Sequence, residues 1–537
     1  MFNWLAGLPI LFAGREVSAL VGIVGEPGSL LFAQIAGLAI VGFGCGYWQA
    51  ACAPDENLSF VRLGMALKLG VVAIAFGNWF TGTINAILPV AALGDLVYAL
   101  LFWRFLKRFR AQPKTIKEKV MAENIAIIGG GMAGLTAGYL LHDRHNVTLF
   151  EKENRLGGNA YTLDTKTGED IDISVFFWSL RAYPNFATLL KKLGIRLGTW
   201  PMEGLSQSFL NMGTRRNYYL SCDPTKLRST FSLKNFKSSI HQMVVLRNYL
   251  KMVRMYREGQ LDGLTLRQAL EFCPELTGDL LKLAIFPICI MTSMLWDELM
   301  DAPSEFAIAK IEKQIGSPLK FASWRLFPCK TCVYLEKLAA PFKDRIITQA
   351  AIASVARNGR GVTLTMADHS EHTFDKVIFA CPADTALGLL AEPTGDEIGL
   401  LSPWRYKDGL VIVHTDKTNY PPENLWAMYS YLYTDEDGKI NTSINAHYRF
   451  QNGVHNKSEY IGCQHPNIHI DPDKIEFKKV FRTPLYDKKS ILTIKDLPSL
   501  NGKNNTYYCG SHFGYGLHED AVTSAIDVGR MLGATWP

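Results

Sequence analysis

Between Asn124 and Leu141 the chain reads NIAIIGGGMAGLTAGYLL, a short apolar strand, a glycine turn and a helical run. NVTLFEKENRLGGN, from Asn146 to Asn159, then adds a second strand that ends in the acid Glu151. Strand, turn, helix and strand in this order make a βαβ unit of the dinucleotide-binding kind, and that constrains the fold of whatever surrounds it. Gly129, Gly131 and Gly134 stand at the G-x-G-x-x-G spacing. The first permits the sharp turn, the second lets backbone approach a pyrophosphate, and the third lets the helix pack closely on the strand. Met132 and Ala133 open the helix, whose free N–H groups and positive dipole end face the phosphates. Glu151, with Lys152 beside it, stands where a carboxylate accepts hydrogen bonds from a ribose 2′-hydroxyl and repels a 2′-phosphate.

A chain of 537 residues is too long for one hydrophobic core, so two or three domains are expected. Charge is unevenly spread along it. Residues 1–103 hold only Arg15, Arg62 and Lys68 against Glu16, Glu26, Asp55, Glu56 and Asp95. No charged residue lies between Pro27 and Pro54, a run longer than the ~20 residues a helix needs to cross the hydrocarbon layer. Phe60–Phe76 and Thr83–Trp103 form two further apolar segments around the turn GNWFTG, and the opening stretch, interrupted by Arg15 and Glu16, completes about four spans. A cleaved signal peptide is not expected, because no basic stretch precedes the first apolar run. The exit carries Arg104, Lys107, Arg108, Arg110, Lys114, Lys117 and Lys119 against Glu118, so the positive-inside rule places it and the chain beyond it in the cytoplasm. Lys68 and Asp95 come to similar depth if the two segments form a hairpin. An intramembrane ion pair is one reading, and a snorkelling lysine with a kink-capping aspartate is the other.

The net charge of +6 is modest, and no basic tract interleaved with aromatics appears, so nucleic-acid binding is not expected. The ten cysteines are scattered, which fits a reducing compartment rather than a disulfide framework. Cys329 and Cys332 form one C-x-x-C without a partner pair, weak ground for zinc, and no metal site is expected. In HQMVVLRNYLKMVRMYREG, His241 to Gly259, apolar residues recur at helical spacing with Arg247, Lys251, Arg254 and Arg257 between them. That face either rests on an anionic membrane or is the solvated side of a core helix.

Arg155, Gly157, Gly158 and Asn159 in RLGGN resemble the R-x-G-G extension of FAD enzymes of the amine oxidase and phytoene desaturase type, which favours FAD over NAD. With AYPN at Ala182–Asn185 and CGSHFGYGLHED from Cys509 to Asp520, the chain resembles a family of bacterial predicted NAD/FAD-binding proteins in the flavin-containing amine oxidase superfamily. The resemblance spans roughly residues 124–533. It departs from the family at Ser174, where a glycine is expected, and at FPCKTC, where the family has a V-P-G-G-S loop. It implies that Val355 meets adenine through its backbone, that Gly510 meets the ribityl-phosphate region, and that Glu519, Asp520 and Ala521, with His518, lie near the pyrimidine edge. There the helix start would stabilise negative charge on the reduced ring.

The expected fold is α/β: an FAD-binding Rossmann-like domain of the amine oxidase type with an α+β substrate domain, preceded by an all-α transmembrane domain. The expected divisions are a membrane domain at 1–110, a basic linker at 111–122, FAD-binding parts at 123–200, 341–395 and 501–537, a mainly helical substrate part at 201–340 and a strand-rich one at 396–500. The leading function is a membrane-anchored FAD-dependent oxidoreductase, of bacterial inner-membrane type with its flavin domain on the cytoplasmic side. It would move hydride from a lipid or other hydrophobic substrate to flavin N5 and pass electrons to an unidentified acceptor. The alternatives are a flavin-containing amine oxidase and a transport or assembly protein with a non-catalytic flavin domain. His414, Tyr429, His447, Tyr448 and the stretch Leu283–Leu299 are candidates for the substrate cavity, and no residue stands out as catalytic.

Overall fold

The computed structural model describes residues 29–52, 58–82, 86–111, 122–173, 177–197, 206–221, 236–315, 324–326, 329–423, 426–453 and 458–537, with the isolated residues 8, 10 and 12. Ser174 and the basic residues 114, 117 and 119 lie outside the described residues. The chain divides into two compact units, Met1–Val120 and Met121–Trp536.

In the first unit, helices α1 (Ser29–Cys52), α2 (Leu58–Phe80) and α3 (Ile87–Ala111) succeed one another. Two stretches are long and apolar enough to cross a membrane, Phe60–Phe80 and Pro89–Lys107, and Gln34–Trp48 is a shorter apolar run. Their outward side chains are apolar rather than polar: Ile74, Val90, Val97 and Leu100 are all more than half exposed. Tyr47 of α1 meets Phe60 of α2 and Phe102 of α3 edge-on at ring distances of 5.6 and 5.1 Å. Lys68 of α2 is buried, and its ammonium donates to the Asp95 carboxylate of α3, with the Tyr47 and Tyr98 rings 5.7 and 5.5 Å from its nitrogen. The ion-pair reading of these two residues therefore describes the molecule. Each charge is tolerable in an apolar bundle because the other is there.

The second unit is built on a five-stranded, all-parallel sheet. Its strands lie in the order Thr506–Tyr508, Lys376–Phe379, β1 (Asn124–Ile128), β2 (Asn146–Phe150) and Ile346–Ile347. Val147, Leu149 and Ile125–Ile127 are almost completely excluded from solvent, as a sheet covered on both faces requires. One face carries helix α4 (Met132–Leu141) and the helices Pro184–Lys192, Thr331–Ala339 and His518–Met531, which share one hydrophobic core. The other face meets a three-stranded antiparallel sheet (Ile352–Asn358, Gly361–Met366, Glu371–Phe374), where Phe150 meets Phe374 edge-on at 5.8 Å.

A seven-stranded sheet stands beside this core, in the order Ile475–Leu485, Arg405–His414, Ile461–Gln464, Lys439–His447, Tyr429–Glu436, Ser206–Asn211 and Asn217–Ser221. It is antiparallel except where Tyr429–Glu436 runs parallel to Ser206–Asn211. Two strands thus come from the helix-rich stretch before residue 340. The helices Phe236–Arg257, Gly278–Thr292 and Ser304–Ile315 form a layer with it. Phe209, Tyr431 and Phe286 stack in sequence across the contact, at 4.9 and 5.5 Å.

Candidate cofactor site

Three neighbouring parallel strands end together. Ile128 leads into Gly129, Phe379 into Ala380–Cys381, and Tyr508 into Cys509–Gly510, with the Gly129, Ala380 and Cys509 N–H groups donating to Phe150, Ile128 and Phe379 carbonyls at 2.8, 2.9 and 2.9 Å. The carboxyl ends of parallel strands are where open α/β sheets take their ligands.

At the first of these ends, sterics explain the glycines. Gly129 has φ +111°, and a Cβ on Gly134 would lie 1.9 Å from the Gly129 carbonyl oxygen, so no side chain fits between turn and helix. Around Gly131 the space is open, with nothing within 4 Å of where its Cβ would be. Gly131 is also the N-cap of α4 and supplies no side-chain cap. The first helical N–H groups therefore look into space that a phosphate can fill. Met132 and Ala133 turn their side chains into the core and contribute backbone only.

The RLGGN segment is fastened to this turn. The Gly157 N–H donates to the Gly130 carbonyl at 2.8 Å, and Gly131 and Gly157 form a β-bridge. Arg155 lies over the Tyr161 ring at 4.1 Å and donates to the carbonyls of Leu156, Gly158 and Ala160 at 3.1, 2.6 and 3.2 Å, so it shapes the loop. Asn159 donates to the Arg482 carbonyl at 3.0 Å and ties the loop to the seven-stranded sheet. Glu151 is buried. Its carboxylate accepts from Gly130 N–H at 2.6 Å and Glu153 N–H at 2.9 Å, which leaves lone pairs for a ribose hydroxyl. Lys152 is exposed beside it.

At the second end, Gly510 N–H donates to Ser524 Oγ at 3.0 Å, and the helix His518–Met531 begins after the loop Ser511–Leu517. Glu519 accepts from the N–H groups of Asn185 and Phe186 at 3.0 and 2.9 Å. Its carboxylate thus caps the AYPN helix, whose own N-cap residue, Tyr183, offers no side-chain bond. Burial raises its pKa against those two hydrogen bonds. Asp520 accepts from Tyr515 and Leu517 N–H, both at 2.9 Å, and from Lys313. Ala521 is buried in the core. His518 shares a 3.1 Å hydrogen bond with the Tyr334 hydroxyl, and burial lowers its pKa to about 4, which keeps it neutral. A cleft of about 410 Å³ runs along this helix past Arg181, Lys313, Phe513 and Thr523.

Val355 lies on the strand Ile352–Asn358 of the three-stranded sheet. Its side chain is fully buried, and its carbonyl accepts from Ala391 N–H at 3.0 Å.

Sequence reasoning missed a cluster on the helix Ser304–Ile315. Phe306 stacks on Tyr486 at 4.1 Å, Trp404 meets Tyr486 edge-on at 5.6 Å, and the Lys310 ammonium lies 5.0 Å from the Phe306 ring centre. Lys310 is 2 % exposed. Burial outweighs the pull of Asp520 and lowers its pKa to about 7. The signal was the i, i+4 spacing of Phe306 and Lys310, which puts the lysine on the buried stripe.

The remaining candidates fall into the core. His414 shares a 3.3 Å hydrogen bond with the Tyr420 hydroxyl, His447 shares a 3.0 Å one with Ser430 and packs on Trp426 at 4.6 Å, and Tyr429 and Tyr448 are buried. Within Leu283–Leu299, the residues Leu283–Phe286, Ile288 and Cys289 are buried among hydrophobic neighbours. Cys329 and Cys332 are free thiols, and burial raises Cys329 to about 11. The Cys381 thiol is raised to about 12 by burial, which leaves little thiolate for a nucleophile. Among the described residues no group of His, Cys, Asp or Glu is arranged to hold a metal.

Residues 127–193 match the NAD(P)-binding Rossmann-like domain family. Solved structures share the fold over a longer stretch. The CLA-producing fatty acid isomerase from P. acnes is 14% identical and superposes with a TM-score of 0.55 over 77% of this chain and 99% of its own. Cyclohexylamine oxidase from Brevibacterium oxydans is 14% identical, with a TM-score of 0.53 over 76% and 99%. The chain shares the fold of these two proteins over about three quarters of its length. Among curated proteins, the carotenoid phi-ring synthase of Streptomyces griseus is 34% identical over 101 residues, which are 16% of this chain and 20% of that protein. The chain thus spans about a fifth of the length of the curated relative it matches.

The residues present fit FAD. The open approach over Gly131, the uncapped start of α4 and the second glycine loop bridged to the first make a cradle that side chains would fill.

Proposed function

We propose that this protein is a membrane-anchored FAD-dependent oxidoreductase that takes hydride from a lipid or other hydrophobic substrate, with its cofactor unit on the cytoplasmic side. The observation that carries the reading is that two glycine-bearing loops, 129–134 and 509–516, leave the carboxyl ends of parallel strands of one sheet, with only the strand Lys376–Phe379 between them. FAD, when bound, supplies the hydride acceptor. The chain supplies the rest. Gly129, Gly131, Met132, Ala133 and Gly134 would hold the pyrophosphate by backbone, Glu151 the ribose, and Arg155 to Asn159 the loop beneath the flavin. The start of the helix at His518 would set a positive dipole end toward the ring, with Gly510 and Asp520 fixing the approach of the loop.

Support for a hydrophobic substrate comes from the two apolar helices and from the activities that name two relatives, a fatty acid isomerase and a carotenoid phi-ring synthase. The basic exit after Trp103 supports the cytoplasmic side. Reconstitution with FAD, then anaerobic addition of unsaturated or saturated lipids, tests the reading. Bleaching of the yellow absorbance together with a new double bond supports it, and a flavin that no lipid reduces counts against it. Likeness to cyclohexylamine oxidase favours an amine oxidase as second reading, in which amines and not lipids bleach the flavin anaerobically, and readmitted oxygen restores the absorbance while it is reduced to peroxide.

A further inference from the structure

The helix Phe236–Arg257 has two apolar faces where a core helix needs one. Val245, Tyr249, Met252 and Val253 are at most 8 % exposed and belong to the main core. Ile240, Met243, Leu246 and Leu250 point the other way and are 45, 70, 45 and 41 % exposed. Spacings of three and four keep these four on one stripe along three turns. Phe272, also 45 % exposed, lies alongside, since Lys251 Nζ donates to its backbone carbonyl. Arg247, Lys251 and Arg254 are exposed on the same side of the helix, and the helix contains no acidic residue.

We propose that this face docks on an anionic lipid bilayer, with Met243, Leu246, Leu250 and Phe272 entering the headgroup boundary and Arg247, Lys251 and Arg254 meeting lipid phosphates. Charge decides between occupants. The helix itself sets only cations beside its exposed apolar stripe, with the acids Glu271 and Glu275 confined to the segment of Phe272. An apolar stripe with that edge matches a surface that is apolar below and negative above, which an anionic leaflet is. The same chain carries two helices long and apolar enough to enter that bilayer, so such a surface is within its own tether. Docking here would bring the helical layer of the substrate-side sheet to the membrane. The inference rests on the membrane-anchored part of the proposed function and not on its redox chemistry.

The test uses the full chain with FAD, carrying an environment-sensitive fluorescent amino acid at position 243. It is compared in detergent, in phosphatidylcholine vesicles and in vesicles containing phosphatidylglycerol. We expect a blue shift and quenching by doxyl-labelled lipid in the phosphatidylglycerol vesicles, both lost in the R247E/K251E/R254E variant with unchanged thermal unfolding. Water-like emission in every setting overturns the proposal, as does a blue shift in detergent that grows with protein concentration, which would make the occupant a second copy. A shift that survives charge reversal removes the anionic lipid from it. Flavin absorbance, read on the same samples, separates this outcome from the cofactor reading. A bound flavin with a water-like position 243 sinks only the docking face, and a docked face without flavin sinks only the cofactor reading.

Discussion

The two ends of the proposed cradle are built on opposite principles. At the glycine turn, side chains are missing where they would collide. Gly134 has no room for a Cβ beside the Gly129 carbonyl, and one carboxylate, Glu151, holds the turn by Gly130 N–H. At the carboxyl-terminal loop, side chains do the positioning. Glu519 holds the start of the AYPN helix, and Asp520 holds its own loop and the ammonium of Lys313. The first end therefore rejects a side chain at Gly134, while the second should fail by removal.

Gly134→Ala gives the largest effect expected from this contrast. Its methyl meets backbone that cannot swing away, so stability falls by about 3 kcal/mol or more and no flavin is retained, as thermal unfolding and absorbance would show. Gly131→Ala separates sterics from binding, because nothing stands within 4 Å of its Cβ. Unfolding should hardly change while FAD affinity drops about tenfold, a loss of ~1.4 kcal/mol in a titration. Equal destabilisation by both substitutions would break the contrast.

Charge next to the second end gives a pH signature. Lys310 titrates at about 7 in the folded chain against an ordinary 10.5. Between those values the unfolded chain binds the extra proton, so stability rises with pH across that window and the slope vanishes below it. Lys310→Met should flatten a rise of a few kcal/mol between pH 7 and 10, measured by denaturant unfolding. An unchanged slope would mean that Lys310 keeps its charge in the fold.

Glu519→Ala should cost about 1–3 kcal/mol by stranding the Asn185 and Phe186 N–H groups. Glu519→Gln, which keeps one acceptor oxygen, should cost less. The smallest effect is expected from Cys329→Ser with Cys332→Ser, since a thiol titrating near 11 is not a thiolate at neutral pH. Flavin reduction rates should stay within error of the unaltered chain.

The same contrast explains what could be read from sequence. Gly129, Gly131, Gly134 and Glu151 were legible because sterics and reach act over a few residues, and the resulting spacing survives in the string of letters. Lys68 and Asp95 were half legible: their similar depth in two apolar segments allowed a pair or two separate roles, and only the packing of the segments decides for the pair. The work of Glu519 was not. Its partners, Asn185 and Phe186, lie more than 300 positions earlier, and nothing local in HED says which helix the carboxylate will meet. Lys310 was passed over because a lysine in SEFAIAKIEKQI reads as a solvated residue until Phe306, Tyr486 and Trp404 close around it. His414 and His447 stood out by residue type as candidates for the substrate cavity without a catalytic role, and both are buried and hydrogen-bonded.

The central claim is that both loops hold one FAD. Absorbance titration of the purified full-length chain with FAD, run beside Gly131→Ala and Asp520→Ala, tests it most directly. One flavin per unaltered chain is expected, with weaker binding in each variant, one lost from the phosphate side and one from the ring side. Absence of flavin absorbance in the unaltered chain would contradict it, and so would FAD binding to which Asp520→Ala makes no difference.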